Sequence, residues 1–269
     1  MALSDKDVEK IIEGQLTGKT RFLPKKAAKA MSKKTKAKRT EESGDHNKMP
    51  KLDLRKIKPL TDSQYDAFEA FERGQNLNMQ GCAGTGKSFI AMYLAFDALK
   101  QNKFKKLAIF RSVVPSRDVG FLPGSLEEKA KMYEIPYRAI TQELYGRPDA
   151  YDIMVKKGVI EFVTTSYLRG TTFRNTIMFL DEVENCSFQE CDTVLTRAGE
   201  GSRVIIAGDY YQSDLMREKE KEGLAKFTAI LNAMGEEFKF IGFTKQDIVR
   251  AGLVKNYIIA REEYMRMHG

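Results

Sequence analysis

Eight residues, Gly81-Cys82-Ala83-Gly84-Thr85-Gly86-Lys87-Ser88, constrain the fold of this chain more than any others. They match the G-x4-G-K-S/T pattern of a phosphate-binding loop at every required position. Gly81 and Gly86 permit backbone conformations that a β-carbon forbids, so consecutive N–H groups can turn inward on a phosphate. Lys87 brings a flexible positive charge for β- and γ-phosphates, and the Ser88 hydroxyl suits a Mg²⁺ ion. The flanks agree: Asn76–Gln80 reads as a short strand, and Phe89–Lys100, free of Gly and Pro, as a helix whose N-terminus faces the phosphates. A chance match in a turn would lack both flanks. Residues 81–88 and Phe89 are therefore the expected nucleotide-binding set, with ATP and Mg²⁺ the expected ligands.

Further β-like runs follow at Lys106–Val114, Val159–Thr165, Thr176–Leu180, Ser202–Gly208 and Phe238–Phe243, rich in Ile, Val and Phe. Helical patterns at 127–145, 188–198 and 246–262 lie between or after them. This alternation predicts an α/β domain with a mainly parallel sheet flanked by helices, over residues 51–269. Ahead of it, residues 4–16 read as a short amphipathic helix within a 1–17 segment, with Val8, Ile11, Ile12 and Leu16 on one stripe. Residues 18–50 read as a basic, disordered linker.

The chain has 269 residues and a net charge of +8, and that charge is concentrated. Residues 19–39 hold ten Lys or Arg and no acid, so everything else sums to −2. Such a run can neutralise nucleic-acid phosphates, though a solubilising linker or the remnant of a localisation signal reads the same way. No apolar run reaches the ~20 residues of a membrane span, and the early acids exclude a signal peptide. A cytoplasmic protein is expected. Three cysteines without metal-ligand spacing and only two histidines leave the chemistry to carboxylates, Lys, Arg and a metal ion.

The run Ile177-Met178-Phe179-Leu180-Asp181-Glu182 places Asp181 at the C-terminal end of a buried strand, where it would hold Mg²⁺. Glu182 suits the general base for an attacking water. Two solvated turn carboxylates are the plainer alternative. After the apolar strand Val204–Ala207, Gln212 in Gly208-Asp209-Tyr210-Tyr211-Gln212 is a candidate γ-phosphate sensor; an ordinary turn glutamine is the other reading.

Taken in order, GCAGTGKS, FLDEVEN, LTR and GDYYQSDL, with FRSVV, GFLPGSLEEK, IEFVTTSYLRGTTF and FTKQDIVRAGLV, resemble the PhoH family of ATPases, related to superfamily 1 helicases. The likeness covers about residues 58–262, and the tailed N-terminus looks more like the phage-encoded members. Membership implies a RecA-like P-loop NTPase domain with ATPase activity and a helicase-like or RNA-remodelling role. It implies that Lys87, Glu182, Gln212 and Arg250 are catalytic and that Ser88 and Asp181 hold the metal. Gln64 resembles a glutamine that reads adenine, with an exposed helix-start residue as the alternative. A superfamily 1 helicase draws such an arginine from a second domain, so Arg250 would act on a neighbouring subunit and imply a homo-oligomer, such as a hexameric ring. A salt-bridged surface arginine is the other reading, and Arg197 shares that ambiguity. Arg111, Ser112, Lys129, Thr165, Tyr167 and Arg169 fall in segments that face polynucleotide in related helicases, or are ordinary loop residues. Where those helicases carry Asp-Glu-Ala-Gln, this chain has Asp181-Glu182-Val183-Glu184, and the lost amide puts nucleotide-to-polymer coupling in question.

The sequence thus predicts a Mg²⁺-dependent ATPase acting on single-stranded nucleic acid, with RNA favoured over DNA and no membrane partner. A slow nucleotide-gated regulatory protein is the principal rival, and a P-loop small-molecule kinase is a second.

Overall fold

Asn76–Gly81 (β1), Lys106–Arg111 (β2), Ile160–Thr164 (β3), Thr176–Leu180 (β4), Arg203–Gly208 (β5) and Phe238–Phe243 (β6) form one sheet. Their order is β3-β2-β4-β5-β1-β6 and every neighbouring pair is parallel. The structure is a computed structural model and describes residues 48–112, 126–165, 168, 170–209 and 218–268. The expected helix at 4–16 and the basic run at 19–39 lie outside those residues, as do Tyr167, Arg169 and Gln212.

Both faces of the sheet are covered, which is why the inner runs of β2, β4 and β5 are unbroken and apolar. Within β4, Ile177 and Phe179 point into one core while Met178 and Leu180 point into the other. The first core is closed by Asp62–Glu72 (α1), Lys87–Lys100 (α2), Leu126–Tyr145 (α3) and Ala150–Lys156 (α4). The second is closed by Phe188–Leu195 (α5) and Glu218–Ala233 (α6). Gly252–His268 (α7) follows β6, and Ile258 is its buried residue among those described.

Local chemistry sets the helix ends. The Thr61 side chain accepts from Gln64 N–H and starts α1, and a Ser187–Glu190 capping box starts α5. In α2 nine of fourteen residues are buried, so it is apolar nearly all round, as a helix wedged between the sheet and other helices must be. Helix α7 begins six residues later than the pattern at 246–262 suggests. Thr244 and Asp247 close a capping box of their own around the short turn Lys245–Asp247, and Ile248 then runs extended. Three helices, α1, α4 and α6, fall outside the patterns read from the sequence; α6 opens on Glu-Lys-Glu-Lys-Glu, which carries no apolar period.

The parallel register brings the C-terminal ends of the strands to one edge. Gly81 pairs with Phe243, Gln80 with Gly208, Leu180 with Ile206 and Phe110 with Leu180. In open α/β sheets this edge is where ligands bind.

Strand β1 carries a polar residue deep in the core. Asn78 of β1 is fully buried between Ile206 and Phe240, and neither amide atom has a hydrogen-bond partner among the described residues. A buried, unpaired amide costs about 1–3 kcal/mol. The near-isosteric Asn78→Leu should therefore raise stability by about that amount, seen as a higher urea midpoint at unchanged m-value. A lower midpoint would mean that the amide has a partner, such as a buried water.

Candidate functional site

The phosphate loop is shaped by what stands behind it. Gly81 has φ +126°, and a Cβ there would lie 1.9 Å from the Phe243 carbonyl oxygen. The Cys82 N–H donates to that same oxygen at 3.1 Å, so β6 is stitched to the loop where a side chain cannot fit. Gly84 and Gly86 also take positive φ. The Thr85 hydroxyl, fully buried, donates to Cys82 C=O at 3.0 Å and braces the turn from inside.

Lys87 folds back over the loop and donates to the carbonyls of Gly81 and Cys82 at 2.6 and 2.8 Å. Burial lowers its pKa, and Asp209, Glu184 and Asp181 push the other way. Those carbonyls hold the ammonium where phosphate oxygens would otherwise take it. A cavity of ≈ 830 Å³ opens here, within the range of small-molecule sites, lined by residues 83–89 together with Gln64, Asp181, Glu182 and Arg250. Cys82 does not line it; its buried thiol is pushed up to about 12 by burial and then by Glu262 of α7.

The end of β4 supplies the acids. Asp181 accepts from Ser88 Oγ through Oδ1 and from the Tyr137 hydroxyl through Oδ2, both at 2.9 Å. Burial, and secondarily Glu182, raises its pKa against those hydrogen bonds. Glu182 takes a left-handed backbone, φ +49°, which is uncommon for a residue with a β-carbon. Its Oε2 pairs with Arg111 Nη2 and accepts from Asn185 Nδ2 at 3.3 Å. Ser88 and Asp181 offer adjacent hard oxygens beside the loop, the donor type Mg²⁺ prefers. No group of three or more His, Cys, Asp or Glu side chains placed to hold a metal ion together occurs among the described residues. The donor set therefore suits a metal that keeps phosphate and water ligands.

Gln64 lies against the loop: its Nε2 donates to Thr85 C=O at 3.0 Å and its Oε1 accepts from Leu60 N–H at 2.9 Å. Its amide is thus occupied by backbone on both sides. Arg250 departs from expectation. The Val249 N–H donates to Gly84 C=O at 3.2 Å, and a Cβ on Gly84 would meet Arg250 Cγ at 3.0 Å. The capped turn after β6 returns the chain over its own phosphate loop, so Arg250 lines the cavity of its own chain. Arg197 does not line the cavity.

Three of the residues expected to face a polynucleotide are engaged inside the protein. Arg111 holds Glu182, while the Ser112 and Thr165 hydroxyls both donate to Glu190 Oε1, Ser112 at 3.1 Å. The other oxygen of Glu190 completes the α5 capping box. Lys129 lies in α3, but its side chain is outside the described set. Tyr137 is the participant that sequence reasoning missed. Nothing local marks it beyond an aromatic after Pro136 inside a helical pattern.

Glu184, where related helicases carry glutamine, accepts from Asp209 N–H at 3.0 Å and ties the end of β5 to the acidic turn. Burial pushes its pKa from 4.5 to about 7. The folded protein therefore binds this proton more tightly than the unfolded chain, and the associated stability falls as pH rises from about 4.5 through about 7. Glu184→Gln, neutral at every pH, should flatten that part of the profile and be the more stable form at pH above 7. Urea unfolding of metal-free protein across this range checks it; parallel profiles would count against the shift.

The family described as PhoH-like protein matches residues 56–262 of the chain. It is similar to the PhoH-like protein of Bacillus subtilis, 33% identical over 208 residues that cover 77% of this chain and 64% of that protein. The protein PhoH of Escherichia coli is 31% identical over 216 residues, 77% of this chain and 60% of that one. The chain thus spans about three-fifths of the length of the curated relatives it matches. Among solved structures it aligns with the large terminase of a thermophilic bacteriophage at TM-score 0.45 and 10% identity, over 74% of this chain and 50% of that one. The Sulfolobus solfataricus SWI2/SNF2 ATPase core in complex with dsDNA aligns at 0.40 and 14%, over 74% and 47%. Alignments at this level leave function to the family and the site.

Proposed function

The chain belongs to the PhoH-like protein family, and from that membership and the site geometry we propose that it hydrolyses ATP with Mg²⁺ while engaging single-stranded nucleic acid. The observation that carries the ATPase reading is the 2.9 Å hydrogen bond from Ser88 to Asp181. It joins the phosphate loop to the β4 acids across 93 residues of sequence. Bound Mg²⁺ would neutralise charge across the β- and γ-oxygens.

The chain's own residues do the rest. Lys87 exchanges two loop carbonyls for phosphate oxygens, and the loop N–H groups orient the triphosphate. Ser88 and Asp181 would hold the metal, with Tyr137 fixing the Asp181 carboxylate. Glu182 accepts the proton of the attacking water as the Pγ–O bond to ADP breaks. Arg250, beside the loop, offsets charge on the transferring phosphoryl group. Gln212 remains the candidate sensor on sequence grounds.

The polynucleotide part rests on the likeness to superfamily 1 helicases and on the ten basic residues between 19 and 39. RNA is the first polymer to test. A slower, nucleotide-gated behaviour has one specific observation behind it: Glu182 is already engaged by Arg111. Cytoplasmic placement stays a proposal; among the described residues no helix is long and apolar enough to cross a membrane.

ATP turnover with Mg²⁺, with and without single-stranded RNA and DNA, tests the reading. Lys87→Ala and Glu182→Gln should each lower turnover by about 10²-fold or more. Glu182→Gln should still bind a fluorescent ADP analogue. Wild-type turnover in Lys87→Ala would overturn the assignment.

A further inference from the structure

Arg111 ends β2, and the sheet order sets β2 between β4, which carries the acids, and the edge strand β3. Its guanidinium is paired with Glu182 on one side and stands 5.7 Å from the centre of the Tyr133 ring. On the β3 side its register partner is Thr164. The pair is unevenly buried: the Arg111 side chain is 14% exposed and that of Glu182 39%. Arg111 Nε is buried without a hydrogen-bond partner, so the guanidinium still has a donor to satisfy.

The pairing works against catalysis. The guanidinium and Asn185 both occupy Glu182 Oε2, so only Oε1 is left to take a proton from water, and only in the orientation that the pair fixes. A phosphodiester offers the same doubly accepting edge as a carboxylate and competes for the same planar fork.

We propose that Arg111 restrains Glu182 in the resting protein, and that a polynucleotide phosphate releases the base by taking over the guanidinium. Polymer binding and hydrolysis are then coupled through one side chain. This rests on Glu182 being the base and on a polynucleotide being the partner, as argued above. It gives Arg111 a positioning role toward Glu182 and leaves chemistry with the acid. The amide missing at Glu184 is not needed for such coupling.

The test uses the full chain with R111Q, R111K and the R111Q/E182Q double variant. ATP turnover is measured at saturating Mg²⁺ and ATP, alone and with poly(U) or poly(dT), and binding of a labelled oligonucleotide is followed by anisotropy. Without polymer, R111Q should turn over about tenfold faster than wild type, the loss of one charge-assisted hydrogen bond to the base. Polymer should then add less than about twofold, and oligonucleotide binding should weaken by about threefold or more. The double variant should fall to the E182Q rate, showing that the gain runs through Glu182. R111K, which keeps the charge but not the fork, should lie between wild type and R111Q. An R111Q rate at or below wild type, with normal binding of a fluorescent ADP analogue, overturns the proposal. Should R111Q lose ADP binding, R111K decides, a rate above wild type upholding the restraint and any other rate overturning it. If neither polymer binds or stimulates wild type, the polynucleotide reading fails and release fails with it, whereas a faster R111Q would still uphold the restraint.

Discussion

The fold of the site depends on a close approach that only glycine permits. At Gly81 the carbonyl oxygen of Phe243 stands where a β-carbon would be, and the Cys82 N–H binds it. That contact locks the last residue of β1 to the last residue of β6, and everything downstream inherits its position. The Thr244–Asp247 turn starts from it, Val249 reaches Gly84 because of it, and Arg250 enters the cavity through it. Without the glycine the two strand ends would have to part, and the phosphate loop would lose the backbone wall behind it.

Around that frame the charges are distributed so that each acid of the turn after β4 has its own donor. Asp181 has Ser88 and Tyr137, Glu182 has Arg111 and Asn185, and Glu184 has the backbone of Asp209. Three carboxyls within four residues would repel strongly in a half-buried cleft. Separate donors keep them apart in direction as well as in energy. They also give them different surroundings: Asp181 beside the phosphate loop, Glu182 against the end of β2, and Glu184 tying β5 to the turn.

How much of this is readable from sequence depends on how local it is. The phosphate loop and Asp181-Glu182 are legible because a strand, a turn and their chemistry are contiguous in sequence. The bounds of β4 and β6 match the β-like runs residue for residue, and β4, buried at every position, ends where its apolar run ends. The pairings are not legible. Arg111 and Glu182 are 71 residues apart and Tyr137 and Asp181 are 44 apart, and each meets only because of strand order and helix placement. Ser112 and Thr165 look like surface hydroxyls because their partner, Glu190, advertises itself in sequence as a helix cap. The approach of Arg250 to its own phosphate loop is hidden for a related reason. A capped turn of three residues redirects the chain, and a helix pattern drawn straight through 246–262 conceals it.

The buttress of the phosphate loop has a consequence for how the protein is made. The loop begins at residue 81 and its wall at Phe243, roughly 160 residues later in synthesis. A ribosome therefore releases the nucleotide-binding motif long before the strand that shapes it. During that interval the nascent loop has neither β6 behind it nor Val249 against Gly84, and ATP cannot act as a template for early folding. Ligand stabilisation enters only once the edge strand has closed, which makes nucleotide a late check on the finished domain.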